Sequence, residues 1–270
     1  MNCLSKQEII NIALQPPEPE ELPLLAAVSA IDSLIQAQEV LALYRLCRML
    51  PDNAKILEIG SFNGSSAMVM GHAIKEREIK LFCIDPWHDY LGQEDFVGFN
   101  QARIADGSKI MQEFVKNTSF LGTQLKMLRG FSADFATMLA GQEFDLIFID
   151  GAHDYGSVRA DIMIGLSALK PGGLLTGHDF HSCGHGVRQA VNSMLGLSPT
   201  ISNKGVIEQT YIWFAQLDQP GYEHAILEIE DLYAAGDLQA ALTLALKSAR
   251  IYKTEELVGM IATLKQELHR

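Results

Sequence analysis

The stretch ILEIGSFNGSSAMVM, residues 56–70, decides how the rest of the chain is read. A short, mostly apolar run of strand length ends at Ile59, Gly60 and Gly64 punctuate a polar turn, and the remainder continues as helix. Glycine is needed twice in such a turn: Gly60 lets the chain reverse sharply, and Gly64 lets the helix begin close to a ligand. The exposed amides and positive dipole end of that helix favour an anionic group such as a carboxylate. A dinucleotide loop would carry G-x-G-x-x-G to bring backbone against a pyrophosphate, but here Glu58 stands two residues before Gly60. That carboxylate would repel a diphosphate and welcome an ammonium group.

Outward from this turn, short apolar runs recur at Lys55–Ile59, Lys80–Ile84, Gln124–Leu128, Phe144–Ile149 and Leu174–Thr176, each followed by polar or glycine residues and a helix-sized segment. The alternation predicts an α/β fold: a Rossmann-like, mostly parallel sheet with helices on both faces. Val158, Ile162, Leu166 and Leu169 form one helical stripe that stops at Lys170-Pro171-Gly172-Gly173, and Val187, Ala190, Val191 and Met194 form another. The segment 200–214 predicts a terminal antiparallel hairpin turning at Asn203-Lys204-Gly205.

Upstream, PPEPEELP (16–23) holds four prolines and reads as a linker after a short tail, and residues 37–50 read as one amphipathic helix leading into the core. Downstream of residue 219 two helical stripes break at Gly236-Asp237, a helical hairpin. It resembles a single tetratricopeptide-type unit, which cannot bury its own apolar face, so a cap on the core or a homodimer contact is favoured over a peptide-binding module. The expected layout is 1–50 tail, linker and lead-in helix, 51–218 the α/β domain, and 219–270 the helical hairpin.

A formal charge of -12 leaves no basic stripe to neutralise phosphates, which argues against nucleic acid and anionic membrane as partners and for a small molecule. The four cysteines, Cys3, Cys47, Cys83 and Cys183, have neither zinc nor disulfide-framework spacing and read as reduced thiols. With no signal-peptide pattern and no apolar run of spanning length, a cytoplasmic location is expected.

The second strand ends in Asp85, about twenty residues after the glycine turn, where an acid can accept both ribose hydroxyls; capping or turn formation is the plainer use of such an acid. Together, the acid–glycine loop and a ribose acid describe a ligand with amine, carboxylate and adenosine, which is S-adenosyl-L-methionine. LEIGSFNGSS, FDLIFIDGAHDYGSVRADI, LKPGG and GHDF, in this order over residues 37–215, resemble the class I S-adenosylmethionine-dependent methyltransferases. The resemblance implies that Glu58, Gly60, Ser61 and Gly64 hold the methionine end, Asp85 the ribose, and Ser132 the neighbourhood of the adenine. A helix N-cap explains Ser132 equally well.

Asp150 ends the strand FDLIFID and His178-Asp179 end the next, so in a parallel sheet they converge at the carboxyl edge where ligands bind. Two acids and an imidazole suit a divalent cation such as Mg2+, and strand-end capping is the competing use. Methyl transfer to a hydroxyl needs an in-line acceptor and removal of its proton, which a cation and a nearby base both assist. The layout is similar to that of the catechol O-methyltransferase-type enzymes, which implies metal binding by Asp150, His178 and Asp179 and places His153 where that family keeps a lysine base. Histidine is a competent base near neutral pH. The chain departs from that pattern at His153 and at the His178-Asp179 pair, which leaves metal use open.

Arg159, Asp161 and Arg188 read as solvated helix faces, and His181 and His185 as an extension of the site or its entrance. Residues 86–123 read as a substrate lid, with Trp87, His88 and Tyr90 as acceptor contacts, or with Trp87 and Phe96 as loop anchors. The expected activity is small-molecule O-methylation with catalytic Asp150 and His153. The alternatives are a metal-independent N- or O-methyltransferase and a non-catalytic scaffold that recruits a partner through its C-terminal helices.

Overall fold

Five parallel strands form the heart of the sheet: β1 (Lys55–Ile59), β2 (Lys80–Asp85), β3 (Leu125–Arg129), β4 (Phe144–Ile149) and β5 (Leu169–Gly177). The computed structural model describes residues 5–31, 35–88, 106–181, 185–196, 198, 201, 203–218, 222–252 and 255–269. Two further strands, β6 (Asn203–Val206) and β7 (Trp213–Gln216), complete the order β3-β2-β1-β4-β5-β7-β6, with β7 antiparallel to both neighbours. The expected Rossmann-like sheet with a terminal antiparallel hairpin is therefore observed. The hairpin turn is not at Asn203-Lys204-Gly205, which lies inside β6. It falls at 207–212, closed by Ile207 N–H to Ile212 O at 2.9 Å, with Gln209 at φ +63°.

Strands buried on both faces need apolar residues in both pleat directions. On β4, Leu146 and Phe148 join one core cluster while Ile147 and Ile149 join the other. The first cluster is covered by α1 (Lys6–Ala13), α2 (Leu22–Ser29), α3 (Ala37–Arg48), α4 (Ser65–Ile74) and α5 (Gly107–Thr118). The second is covered by α6 (Ala136–Leu139), α7 (Tyr155–Ala168) and α8 (Gly186–Leu195).

The N-terminus corrects the expectation of a tail and a plain linker. Ser5 and Glu8 form a capping box that starts α1, and Ile9, Ile10 and Ala13 are buried in the core. Proline is tolerated in a first helical turn, so Pro23 starts α2 and does not prevent it. Arg45 of α3 gathers the intervening chain: it donates to the carbonyls of Ile12, Gln15 and Pro16 and pairs with Glu21 at 2.6 Å, both side chains buried. Half of the anticipated lid is also core, since Ile110 and Phe114 of α5 are buried there. Residues 89–105 of that lid, with Tyr90 and Phe96, lie outside the described residues, as do Cys3 and Cys183.

The chain divides into two compact units, Met1–Asp218 and Gln219–Arg270. Among the described residues, the second unit contains three helices where the sequence pattern shows two: α9 (Tyr222–Ala234), α10 (Leu238–Tyr252) and α11 (Glu255–Leu268). Ile229, Ala241, Ala245 and Leu257 are buried in its own small core. Among the described residues, no helix is long and apolar enough to cross a membrane.

Candidate active site

Each chain segment leaving the sheet at its carboxyl edge is held by one more backbone bond. Gly60 N–H donates to Ile84 O, Asp150 N–H to Ile59 O, and His178 N–H to Ile149 O, at 2.8–3.0 Å. Residues just beyond the strands are thus fixed almost as firmly as the strands themselves. Asp179, at φ +61°, turns the chain in the left-handed region that only glycine enters without cost.

Gly60 adopts φ +87°, and a Cβ there would meet Asp150 O at 2.1 Å, so the glycine turn packs directly on the chain leaving β4. Gly64, at φ +84°, begins α4, and a Cβ on it would press on Phe114 at 2.9 Å. Glu58 lies beneath this loop and not on it. Its carboxylate, wholly buried, accepts from Ser61 Oγ at 2.5 Å and from Ser66 Oγ. Burial pushes its pKa up to about 7, against the hydrogen bonds of Ser61, Ser66 and Cys83. This corrects the expectation that Glu58 meets an ammonium directly: as a β1 residue it projects from the sheet face and braces the loop from below. Asp85 accepts from Ser61 N–H (3.0 Å), Phe62 N–H (2.8 Å) and Trp87 N–H (2.7 Å), which orders both loops.

A cavity of about 430 Å³, a size typical of ligand pockets, opens beside this loop. Gly60, Asp85, Asp150, Gly151 and Ala152 line one part, and Pro86, His88, Phe131, Ser132, Ala133 and Asp161 another. Of the six residues assigned to the donor ligand, Gly60, Asp85 and Ser132 reach the cavity, while Glu58, Ser61 and Gly64 are buried behind it. Trp87 does not line it. Its ring packs on Phe114 at 4.9 Å and its Nε1 donates to Phe62 O, so it anchors the loop. His181 and His185 are exposed.

At Asp150 the cavity meets a small cleft bordered by His153, His178 and Asp179. His153 Nε2 lies 2.9 Å from Asp179 Oδ2. His178 Nδ1 lies 3.2 Å from the same oxygen and 3.8 Å from Asp150 Oδ1, while its Nε2 lies 3.1 Å from Glu39 Oε2. Burial opposes a charge on His178, but Asp150, Asp179 and Glu39 outweigh it and hold the imidazolium up to about 11. Burial also opposes charge on Asp179, yet the hydrogen bonds from His153 and His178 keep it well below the usual carboxylate range. Asp150 is pushed up to about 6 by burial, with Asp179 adding to the effect and the two histidines opposing it. One ligand atom each of Asp150, His153 and Asp179 lie within 4.8 Å of one another, close enough to share a cation.

Two residues of this region were missed. Glu39 on α3 is wholly buried and also accepts from Gln36 N–H and Tyr211 N–H, both at 2.8 Å. Asp161 on α7, expected on a solvated face, is 5% exposed and accepts from Ser132 Oγ. That bond, and not a helix cap, is what Ser132 makes. The signal for both was the same: an acid set on an apolar helical stripe, with Leu43 and Leu46 one and two turns from Glu39, and with Val158 and Ile162 around Asp161.

Residues 57–180 match the family model described as a methyltransferase domain. Among solved structures, the O-methyltransferase TomG from Streptomyces achromogenes, in complex with SAM, aligns at TM-score 0.53 and 17% identity over 81% of this chain and 100% of its own. An O-methyltransferase from Bacillus cereus, in complex with SAH, aligns at TM-score 0.50 and 16% identity over 79% and 96%. The cofactor-bound Rv0187 from MTB aligns at TM-score 0.51 and 18% identity over 78% and 94%. No curated protein sequence matches the chain. The sheet order and the similarity of residues 57–180 to a methyltransferase domain together give this chain the Rossmann-like fold of the methyltransferases it resembles.

Proposed function

We propose that the protein transfers a methyl group from S-adenosylmethionine to a hydroxyl of a small molecule in the cytoplasm. The observation that carries this reading is one cavity lined from Ser132 past Gly60 to Asp150, where the acid–histidine cluster begins. The Streptomyces and Bacillus enzymes with the same fold, holding SAM and SAH, support the choice of donor. Buried, unpaired Cys47 and Cys83 agree with a reducing compartment.

In the transfer, the sulfonium S–CH3 bond breaks as the O–CH3 bond forms, and the hydroxyl proton must leave. Asp150, which lines the cavity and whose carboxyl burial pushes up to about 6, would receive it, with His153 in the adjoining cleft. Asp179 orients His153 through the 2.9 Å contact. Asp150, His153 and Asp179 form a hard oxygen–nitrogen set suited to a divalent cation such as Mg2+, which would lower the pKa of an acceptor oxygen bound to it. His178 is not among the three residues whose ligand atoms converge, so His153 takes its place in the proposed set.

The His178 charge also favours a second reading, metal-independent transfer, in which the imidazolium provides the positive charge near the reacting oxygen. Calorimetric titration with S-adenosylmethionine, then turnover on a panel of phenols and sugars with and without chelator, separates the possibilities. Turnover abolished by chelator and restored by Mg2+ supports the first reading, and turnover indifferent to chelator supports the second. Absence of donor binding sinks both.

A further inference from the structure

Trp213 of β7 borders the small cleft at the acid–histidine cluster and carries a donor that none of the steps above uses. The residue is 1% exposed, and its indole Nε1 is buried with no acceptor among the described residues. Burying a donor without an acceptor is costly, and a native structure that keeps one calls for an explanation. Gly177, its register partner on β5, shows where the donor lies. A Cβ on that glycine would meet the ring at Cζ2 (2.6 Å) and Cε2 (2.7 Å), and Cε2 is the carbon bonded to Nε1. The nitrogen-bearing edge of the indole therefore lies against the residue that precedes His178-Asp179. Ile149, Val158 and Val187, all buried in the second core cluster, give the cleft an apolar border, and Asp150 and Asp179 give it a polar one.

We infer that the cleft binds one water molecule, which accepts from Trp213 Nε1 and donates to the carboxylates of Asp150 and Asp179, so that Trp213 positions the acid pair through it. The cleft measures about 10 Å³, which is on the scale of a single water and excludes an organic group. An indole N–H has no lone pair to offer a cation. Asp150, Asp179 and Glu39 outnumber the His178 imidazolium among them, which disfavours a small anion. Water answers both sides, its oxygen taking the indole proton and its own protons meeting the carboxylates. A carboxylate offers about four acceptor sites, so the contacts of Asp179 to His153 and His178 leave room for one more donor.

The probe is the indole proton itself, in protein carrying isotopically labelled tryptophan, with chelator present so that no metal-bound water contributes. The chain has two tryptophans, and Trp87 Nε1, which donates to Phe62 O at 2.8 Å, marks the resonance position of a hydrogen-bonded indole. Trp213 Hε1 is expected in the same downfield region, with a cross-relaxation peak to a long-lived water. Trp213→Phe keeps an aromatic ring without the donor and assigns the signal by its loss. The positioning role rests on the methyl-transfer reading. In Trp213→Phe, kcat is expected to fall about three- to tenfold, the worth of one neutral hydrogen bond, with KM for S-adenosylmethionine unchanged.

Absence of a water peak at both indole protons overturns the inference, and that measurement needs neither a variant nor turnover. Unchanged kcat in the folded variant overturns it as well, since the water would then position nothing. So does a rise in KM in step with the fall in kcat, which marks a general distortion. If wild type turns over no acceptor, the methyl-transfer reading falls, and the water peak still decides whether the site exists.

Discussion

Glu39 and His178, 139 positions apart in the chain, stand in contact at 3.1 Å between Oε2 and Nε2, both side chains buried. The contact ties helix α3, outside the matched segment, to the strand end that carries the acid–histidine cluster. Glu39 also accepts from Tyr211 N–H, so one carboxylate fixes the helix, the imidazolium and the hairpin turn together.

Breaking a buried ion pair from one side leaves the other charge unmatched, at a cost of about 3–5 kcal/mol. Glu39→Ala is expected to lower the melting temperature by about 10 °C, near 3 °C per kcal/mol for a unit of this size. Glu39→Gln keeps acceptor oxygen for the backbone donors and should lose about half as much. Thermal melts of the two variants check this, and equal losses would contradict the ionic role.

Gly60→Ala places a methyl group 2.1 Å from Asp150 O at a backbone angle of φ +87°. The glycine turn and the chain after β4 cannot both keep their positions. Donor affinity is expected to fall at least a hundredfold, an order-of-magnitude figure for loss of positioning at a site. Calorimetry on protein shown by circular dichroism to be folded measures it, and unchanged affinity would contradict the loop's role.

Asp161 gives a pH-dependent stability of defined sign. Its folded carboxyl holds a proton up to about 6, above the ordinary value of 3.8, so the native state binds more protons than the unfolded chain between those values. That contribution is present at low pH and is lost as pH rises through about 6. Asp161→Asn, which removes the buried charge, is expected to stabilise the ligand-free protein at pH 7.5 by roughly 2 kcal/mol. At about pH 4 the gain should vanish. Denaturant melts at the two pH values test it, and a gain of equal size at both would rule out the ionisation as its source.

Arg45→Ala removes the guanidinium that donates to the carbonyls of Ile12, Gln15 and Pro16 and leaves the buried Glu21 carboxylate without its counter-charge. A loss of about 3–5 kcal/mol is expected, with donor affinity unchanged because the clamp touches no residue of the cavity. Melting curves and calorimetry on the same preparation decide this. A parallel loss of affinity would show that the N-terminal helices shape the site.

The sheet was legible in the sequence because strands covered on both faces must be apolar in both pleat directions, as β4 shows. The types of residue at the reactive end were legible for a related reason: Asp150, His178 and Asp179 each follow a strand at its carboxyl end. Ring directions were not. Spacing does not say that His178 turns one nitrogen to Glu39, nor that His153 swings over to Asp179. Glu58 was misread because a motif acid two residues before a turn glycine invites a ligand role, whereas the pleat sends that side chain under the loop. The hairpin turn was misplaced since Gly205 marks close packing against Phe214 inside β6, where glycine and asparagine ordinarily mark a reversal. Helix α1 was read as tail because a proline-rich stretch follows it, of which only Pro23 falls within α2, in its first turn.

The Arg45 clamp has a practical corollary for anyone preparing smaller versions of this protein. Recognisable family sequence begins at residue 57, yet Ile9, Ile10, Val28 and Leu43 already belong to the same hydrophobic interior as Ile56 and Phe148. Cutting at the edge of the recognisable segment would strip three helices from one side of the sheet and leave a broad oily surface facing water. Fragments for crystallisation or fusion should therefore start ahead of Ser5, where the first capped helix begins.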